Sequence, residues 1–254
     1  MMNLNRICTF IMPFRIDSAE RQRNLSFSIG RLASLKAKII LLEADTKQRV
    51  DKSSFYENVE YIFIENSNPV FHRTHYINML LKHAETEIVS IWDTDIVVDY
   101  KQIYEAVRNI KNGCTIAYPY NGEFVMLTPN CSDEFIRIGD LMYLEELNLK
   151  PIYNRPFCGG AFFVNRQKYL SLGGENEHFY GWGPEDAERL RRVQIMEHQV
   201  KWTDEGKAFH LFHPRKENSY FFDEKASIEM RKELVKVCSM NRDELSEYIK
   251  TFNM

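Results

Sequence analysis

The chain of 254 residues is 44% hydrophobic and 27% charged, a composition that supports a sizeable core and, most simply, a single α/β domain. Its 33 Lys and Arg against 36 Asp and Glu give a net charge of −3, which lacks the cationic footprint of a dedicated nucleic-acid binder. Five scattered cysteines with no C-x-x-C pair argue against a disulfide framework or a zinc knuckle, and the early apolar run stops at Pro13, too short for a signal peptide or anchor; a reducing cytoplasm is the expected setting.

In chain order, residues 7–14 read as a buried strand, 21–35 as a helix and 37–42, rich in Ile and Leu, as a second strand. Residues 59–64 supply a third strand, the spacing of Tyr76, Ile77, Leu80 and Leu81 predicts a helix over 74–83, and 87–92 is a fourth strand ending at Asp93. This alternation predicts a largely parallel sheet with helices on both faces, binding ligands beyond the carboxyl ends of its strands. Pro13-Phe14-Arg15 and Asp93-Thr94-Asp95 both fall there and should converge on one crevice. A helix near 100–110 and a strand near 115–119 follow. The chain then becomes less regular, with polar loops around Asn121-Gly122-Glu123 and across 148–156 suited to substrate contacts. Gly159-Gly160 opens a strand reaching Val164, and Pro184 stands at the first position of a helix over 185–197. An apolar strand begins near Ala208, and charged helices near 227–237 and 243–250 close a chain without internal repeat, low-complexity tract or linker.

The stretch Phe179-Tyr180-Gly181-Trp182-Gly183-Pro184-Glu185-Asp186 sets an indole between two glycines and puts two carboxylates behind it, a pattern suited to a mobile flap beside an acid/base site. One of the two carboxylates, kept ionised by the helix N-terminus, would accept a proton from an attacking hydroxyl; the competing reading is simple stabilisation of the helix dipole. Asp93 and Asp95 emerge from a buried strand where Mn²⁺ or Mg²⁺ would bridge them to a diphosphate, unless they only cap the strand end. His210 and His213 would direct two imidazoles at one ion if the chain turns between them, the alternative being hydrogen-bonded core residues. Arg15 and Arg73 would suit phosphate contacts, and Trp92 reads as core.

With these motifs in order, the sequence resembles the β-1,4-galactosyltransferase family of GT-A-fold glycosyltransferases, especially bacterial relatives that build polysaccharides, from near Phe10 to near Arg215. Pro13-Phe14-Arg15 is similar to the family's nucleotide-binding turn, and Phe71-His72-Arg73-Thr74-His75-Tyr76-Ile77-Asn78 to its F-N-R-A-x-x-L-N segment with uridine and phosphate contacts. Asp93-Thr94-Asp95 resembles the D-V-D metal motif, Gly159-Gly160 the pair lining the sugar pocket, and Gly181-Trp182-Gly183-Pro184-Glu185-Asp186 the W-G-W-G-G-E-D flap with its catalytic acid. Tyr180 replaces the flap's first tryptophan, Pro184 its third glycine, Ala187 breaks the acidic run, and His210-Leu211-Phe212-His213 stands for M-x-x-H. Phe157 lies where the family selects between donor sugars.

The resemblance implies an α/β, GT-A fold over 1–254, with a donor-binding half at about 1–120, an acceptor and catalytic half at about 121–220 and C-terminal helices beyond. It implies inverting, Mn²⁺-dependent transfer of a hexose or N-acetylhexosamine, galactose-type favoured, from a UDP-sugar to a saccharide or lipid-linked saccharide hydroxyl. Asp186 would be the base, with Glu185 holding the acceptor or the flap. Pro13, Phe14, Arg15, Phe71, Arg73, Asp93, Gly159, Gly160 and Trp182 would bind donor, and Asp95, His210 and His213 the metal. A nucleotidyltransferase would show a Gly-rich phosphate loop after the first strand, which Pro13-Phe14-Arg15-Ile16-Asp17 lacks; a non-catalytic sugar-nucleotide-binding subunit is disfavoured by the intact Glu185/Asp186 pair. Lys225, Arg231, Lys232 and Lys236, interleaved with Ile228, Met230, Leu234 and Val235, would suit peripheral contact with the inner face of a membrane, against the competing reading of a solvated helix covering the core.

Overall fold

The computed structural model describes residues 3–51, 55–216 and 219–252. The apolar run Cys8–Phe14 is β1, buried at all seven positions. The chain returns through α1 (Ala19–Ala33), whose first turn is capped by the Ser18 hydroxyl, to β2 (Lys38–Asp45). β3 (Val59–Glu65), α2 (Arg73–His83) and β4 (Ile88–Trp92) repeat the pattern. Then come β5 (Ile96–Val97), α3 (Tyr100–Lys111), β6 (Ile116–Tyr118), β7 (Phe124–Met126), α4 (Pro129–Ile138), α5 (Met142–Glu146) and β8 (Ala161–Asn165). α6 (Arg166–Ser171), α7 (Glu185–Ile195), β9 (Val200–Trp202), β10 (Ala208–His210), α8 (Glu224–Ser239) and α9 (Arg242–Ile249) complete the order.

Seven strands form one sheet in the order β3-β2-β1-β4-β8-β6-β9. Every neighbour is parallel except β8, which runs antiparallel to β4 and β6. Burial on both faces explains the mostly apolar runs of β1, β2 and β4. Phe10, Trp92 and Phe163 meet edge to face at its centre, with centroids 5.5–6.2 Å apart, so Trp92 is core as its place in the strand predicts. β1 has β2 on one side and β4 on the other, so strand order reverses there and a crevice opens beyond the carboxyl ends of β1 and β4.

A smaller sheet has the order β5-β10-β7, with His210 opposite Ile96 in antiparallel register and beside Met126 in parallel. The stretch beyond residue 119 is more regular than its sequence suggests. α4 opens on the Thr128 cap with Pro129 in its first turn and stops at Gly139, whose φ of 76° suits glycine; only Ser132 and Phe135 are buried on it, too few to register as a period. No helix among the described residues is long and apolar enough to cross a membrane.

Candidate active site

The Asp93-Thr94-Asp95 turn leaves β4 under tight backbone control. The Asp93 amide donates to the Gly160 carbonyl (2.8 Å), the Ser28 hydroxyl to the Thr94 carbonyl (2.8 Å), and the Leu211 amide to the Asp95 carbonyl (2.8 Å). These bonds aim the Asp95 carboxylate at two imidazoles: His210 Nε2 lies 3.4 Å from its Oδ1 and His213 Nε2 3.3 Å from its Oδ2. The 210–213 segment is fixed in turn by Asn24 donating to the Phe212 carbonyl (3.0 Å) and the Phe212 amide donating to Ser132 (2.8 Å).

This donor set fits a divalent cation. One ligand atom from each of Asp95, His210 and His213 lies within 4.8 Å of the others. His213 Nδ1 sits 3.1 Å from the Pro214 carbonyl, which fixes its proton there and turns the Nε2 lone pair toward Asp95. Asp95 Oδ1 and His210 Nδ1 are buried with no hydrogen-bond partner, an arrangement that a shared cation would relieve. Burial alone would raise the Asp95 carboxyl, but His210, His213 and Arg21 outweigh it and hold it below the usual range; burial pushes His210 down, favouring the neutral imidazole that binds metal.

Arg73, in the first turn of α2, reaches the same edge and grips Asp93 Oδ1 through Nη2 (2.6 Å) and Nε (3.2 Å). Burial raises the Asp93 carboxyl, Arg73 opposes it, and Asp95 adds to the rise. Arg21, on the first turns of α1, bridges Asp17 (3.1 Å) and approaches Asp95 (3.7 Å).

Glu185 and Asp186 open α7 but sit in different surroundings. Glu185 is buried, its Oε2 has no hydrogen-bond partner, and burial first, then the neighbouring Asp186, pushes its carboxyl up from the usual 4.5 to about 8. The helix N-terminus does not offset that burial, so Glu185 departs from the expectation of an ionised carboxylate. The Asp186 carboxylate keeps 29% of its surface exposed and accepts from Arg189 Nη1 at 2.8 Å. Arg189 is fully buried, clamps Glu175 through Nε (2.9 Å) and Nη2 (3.0 Å), and lies 4.0 Å from the Phe162 ring centroid. Gly159 gives Asp186 its room: a Cβ there would stand 2.3 Å from Asp186 Oδ2.

Arg73, Asp93, Asp95, Gly160, Trp182, Glu185, Asp186, His210 and His213 all line one cleft of about 440 Å³, a size suited to a nucleotide sugar. Gly159 touches it through Asp186. Pro13 and Phe14 are buried at the end of β1, and Arg15 donates to the carbonyls of Ala44, Asn68 and Pro69 while lying over Phe71 at 5.5 Å. That cluster adjoins a second hollow of about 520 Å³, lined by Pro69, Val70, Gly181, Phe221 and Trp182, whose indole meets Phe221 edge-on at 5.0 Å. Trp182 thus borders both hollows. Sequence reasoning missed Arg21, Arg189 and Glu175. The first two sit in runs of charge that read as solvent-facing, and only docking of α1 and α7 turns them inward.

A family model described as the N-terminal domain of galactosyltransferase matches residues 143–214, which hold the glycine pair, the flap and both histidines. No curated protein matches the sequence. Among solved structures, a mutant Drosophila β-1,4-galactosyltransferase 7 in complex with manganese, UDP-Gal and xylobiose aligns with a TM-score of 0.54 at 16% identity, covering 86% of this chain and 77% of that one. The catalytic domain of the Drosophila enzyme with xylobiose aligns at 0.51 and 18%, covering 93% and 82%. GalNAc-T7 with UDP, GalNAc and Mn²⁺ aligns at 0.57 and 14%, covering 96% of this chain but only 49% of that one, about half its length. The fold is GT-A, and the resemblance read from the motifs is borne out.

Proposed function

We propose that this chain is a metal-dependent, inverting glycosyltransferase that moves a hexose or N-acetylhexosamine, galactose-type favoured, from a UDP-sugar to a saccharide hydroxyl in polysaccharide or glycan assembly at the cytoplasmic face of a membrane. The observation that carries this reading is the meeting of the Asp95/His210/His213 group and Asp186 in one cleft on a GT-A fold. Structures of that fold solved with UDP-sugar or UDP and manganese support the choice of donor and ion.

Asp95, His210 and His213 would hold Mn²⁺, which when bound neutralises charge on the diphosphate. Arg73, tied to Asp93, adds a fixed positive charge beside the leaving group, while Arg15 and Phe71 flank the nucleoside. Gly159 and Gly160 let the sugar approach the backbone. Trp182 closes over bound donor, so donor binds before acceptor. Asp186 takes the acceptor proton as the hydroxyl oxygen bonds to the sugar C1 from the face opposite UDP, whose oxygen leaves with the electron pair of the broken C1–O bond. Glu185, buried beneath the flap glycine and protonated, donates a hydrogen bond or packs rather than acting as the base.

Calorimetry of UDP with and without Mn²⁺ tests the donor site. Binding should require the ion in the native chain and fail in Asp95→Asn; binding that is indifferent to both sinks the reading. Asp186→Asn should keep Mn²⁺/UDP binding and lose transfer by on the order of 10³-fold, and undiminished transfer removes Asp186 from the mechanism.

A further inference from the structure

Resting on the reading above, the charge balance of the cleft identifies what its mouth receives. No cation of the floor is spare: Arg73 is paired with Asp93, Arg21 with Asp17 and Asp95, and Arg189 with Asp186 and Glu175. Glu185 adds no charge at neutral pH, because burial keeps it protonated. A nucleotide diphosphate and a divalent cation cancel each other's charge when they enter together.

Two cations remain. Arg155 and Arg215 line the same cleft, both are exposed, and among the described residues neither has a carboxylate within 4.0 Å. Each lies on a tyrosine ring instead, Arg155 over Tyr153 at 5.6 Å and Arg215 over Tyr220 at 5.9 Å. Tyr153 is itself stacked on Phe157 at 5.8 Å with 13° between the planes. An aromatic bed limits the rotamers of a guanidinium while leaving its fork of N–H donors facing outward, the geometry for bidentate contact with an oxyanion. Because Arg73 and Arg21 occupy the floor and Arg155 and Arg215 the solvent side, the unpaired charge faces the partner that enters second.

We infer that the acceptor carries an oxyanion close to the reacting hydroxyl, held at the cleft mouth by Arg155 and Arg215. A uronate carboxylate within the saccharide and a phosphate linking it to a lipid share this chemistry.

The test is calorimetry on the full chain saturated with UDP and Mn²⁺, titrated with a glucuronate-bearing disaccharide, its neutral glucose counterpart, and glucose joined to a short-chain lipid phosphate. At least one anionic probe should bind about tenfold or more tightly than the neutral one, and which of them does so tells uronate from phosphate. The Arg155→Gln/Arg215→Gln double variant should lose that preference with UDP affinity and melting temperature unchanged. Equal binding of all three probes, binding of none, or a double variant that weakens UDP itself overturns the inference. Failure of the native chain to bind UDP with Mn²⁺ appears separately, in the first titration, and overturns the functional reading on which the inference rests.

Discussion

At the scale of single residues, Gly159 and Arg189 decide where the Asp186 carboxylate stands. A Cβ at position 159 would stand 2.3 Å from the far end of the Asp186 side chain and 2.9 Å from the edge of the half-buried Phe157 ring, its nearest neighbours being side chain rather than backbone, so Gly159→Ala should displace that carboxylate at little cost to the fold. We expect kcat to fall about 100-fold with melting nearly unchanged; a melting curve beside steady-state kinetics checks it. Arg189→Met strands the Glu175 carboxylate in the interior and should cost about 3–5 kcal/mol by denaturant unfolding, whereas Glu175→Leu/Arg189→Met should regain most of this. Both variants release Asp186, so activity should stay low in the double variant; full activity there would leave Arg189 a purely structural role. The carboxylates, glycines and histidines that meet at the cleft were legible as a set, because their order matched the motifs of a known family although each alone had a structural alternative. Arg189 was not, since in Glu188-Arg189-Leu190-Arg191-Arg192 nothing distinguishes it from its charged neighbours until α7 docks on Phe162.

At the scale of elements, α2 serves as the mooring of the flap. Asn78 donates to the Glu175 carbonyl (2.9 Å) and accepts from the Glu175 amide (2.8 Å), His75 meets Glu177 (2.9 Å), and Thr74 donates to the Phe179 carbonyl (2.9 Å). Tyr180, standing where the related flap has tryptophan, uses its hydroxyl to take a bond from Asn68 (2.5 Å). Asn78→Leu leaves a buried amide and carbonyl of Glu175 without partners and should cost about 2–4 kcal/mol. Hydrogen exchange should speed up at 175–180 while β1 and β4 stay protected; unchanged exchange there would mean the flap stem is held by other contacts. The helical spacing of α2 was plain in the sequence, but its polar face was not readable as a mooring because the partners lie about a hundred residues away.

For the whole molecule, the buried Glu185 carboxyl couples stability to pH. Its folded value is raised from the usual 4.5 to about 8, so between these limits the folded chain holds a proton that the unfolded chain has released. Its contribution to stability is complete below the lower limit and falls as pH rises through the upper one, by up to about 1.4 kcal/mol per pH unit. Glu185→Gln should flatten the decline in melting temperature between about pH 5 and pH 8, inside that window; a decline of equal slope in the variant assigns the effect elsewhere. The alternation of strand and helix through β4 was legible because each strand is a mostly apolar run, buried in β1, β2 and β4 and half-buried in β3. The strands at β8 and β10 were legible as well, but the reversed direction of β8 and the three-residue β9 were not, since direction and so short a strand are set by neighbours distant in sequence.

The pairing of His210 with Ile96 carries a last consequence for the life of the chain. Asp95 is synthesised long before His210 and His213, and the Asp95 carbonyl finds its Leu211 partner only when the intervening chain has closed into a loop. A growing polypeptide that has emerged only as far as β4 therefore lacks the residues that close the cleft. Translation that stalls before residue 210 leaves Asp95 without His210 and His213, and the cleft without the wall they form.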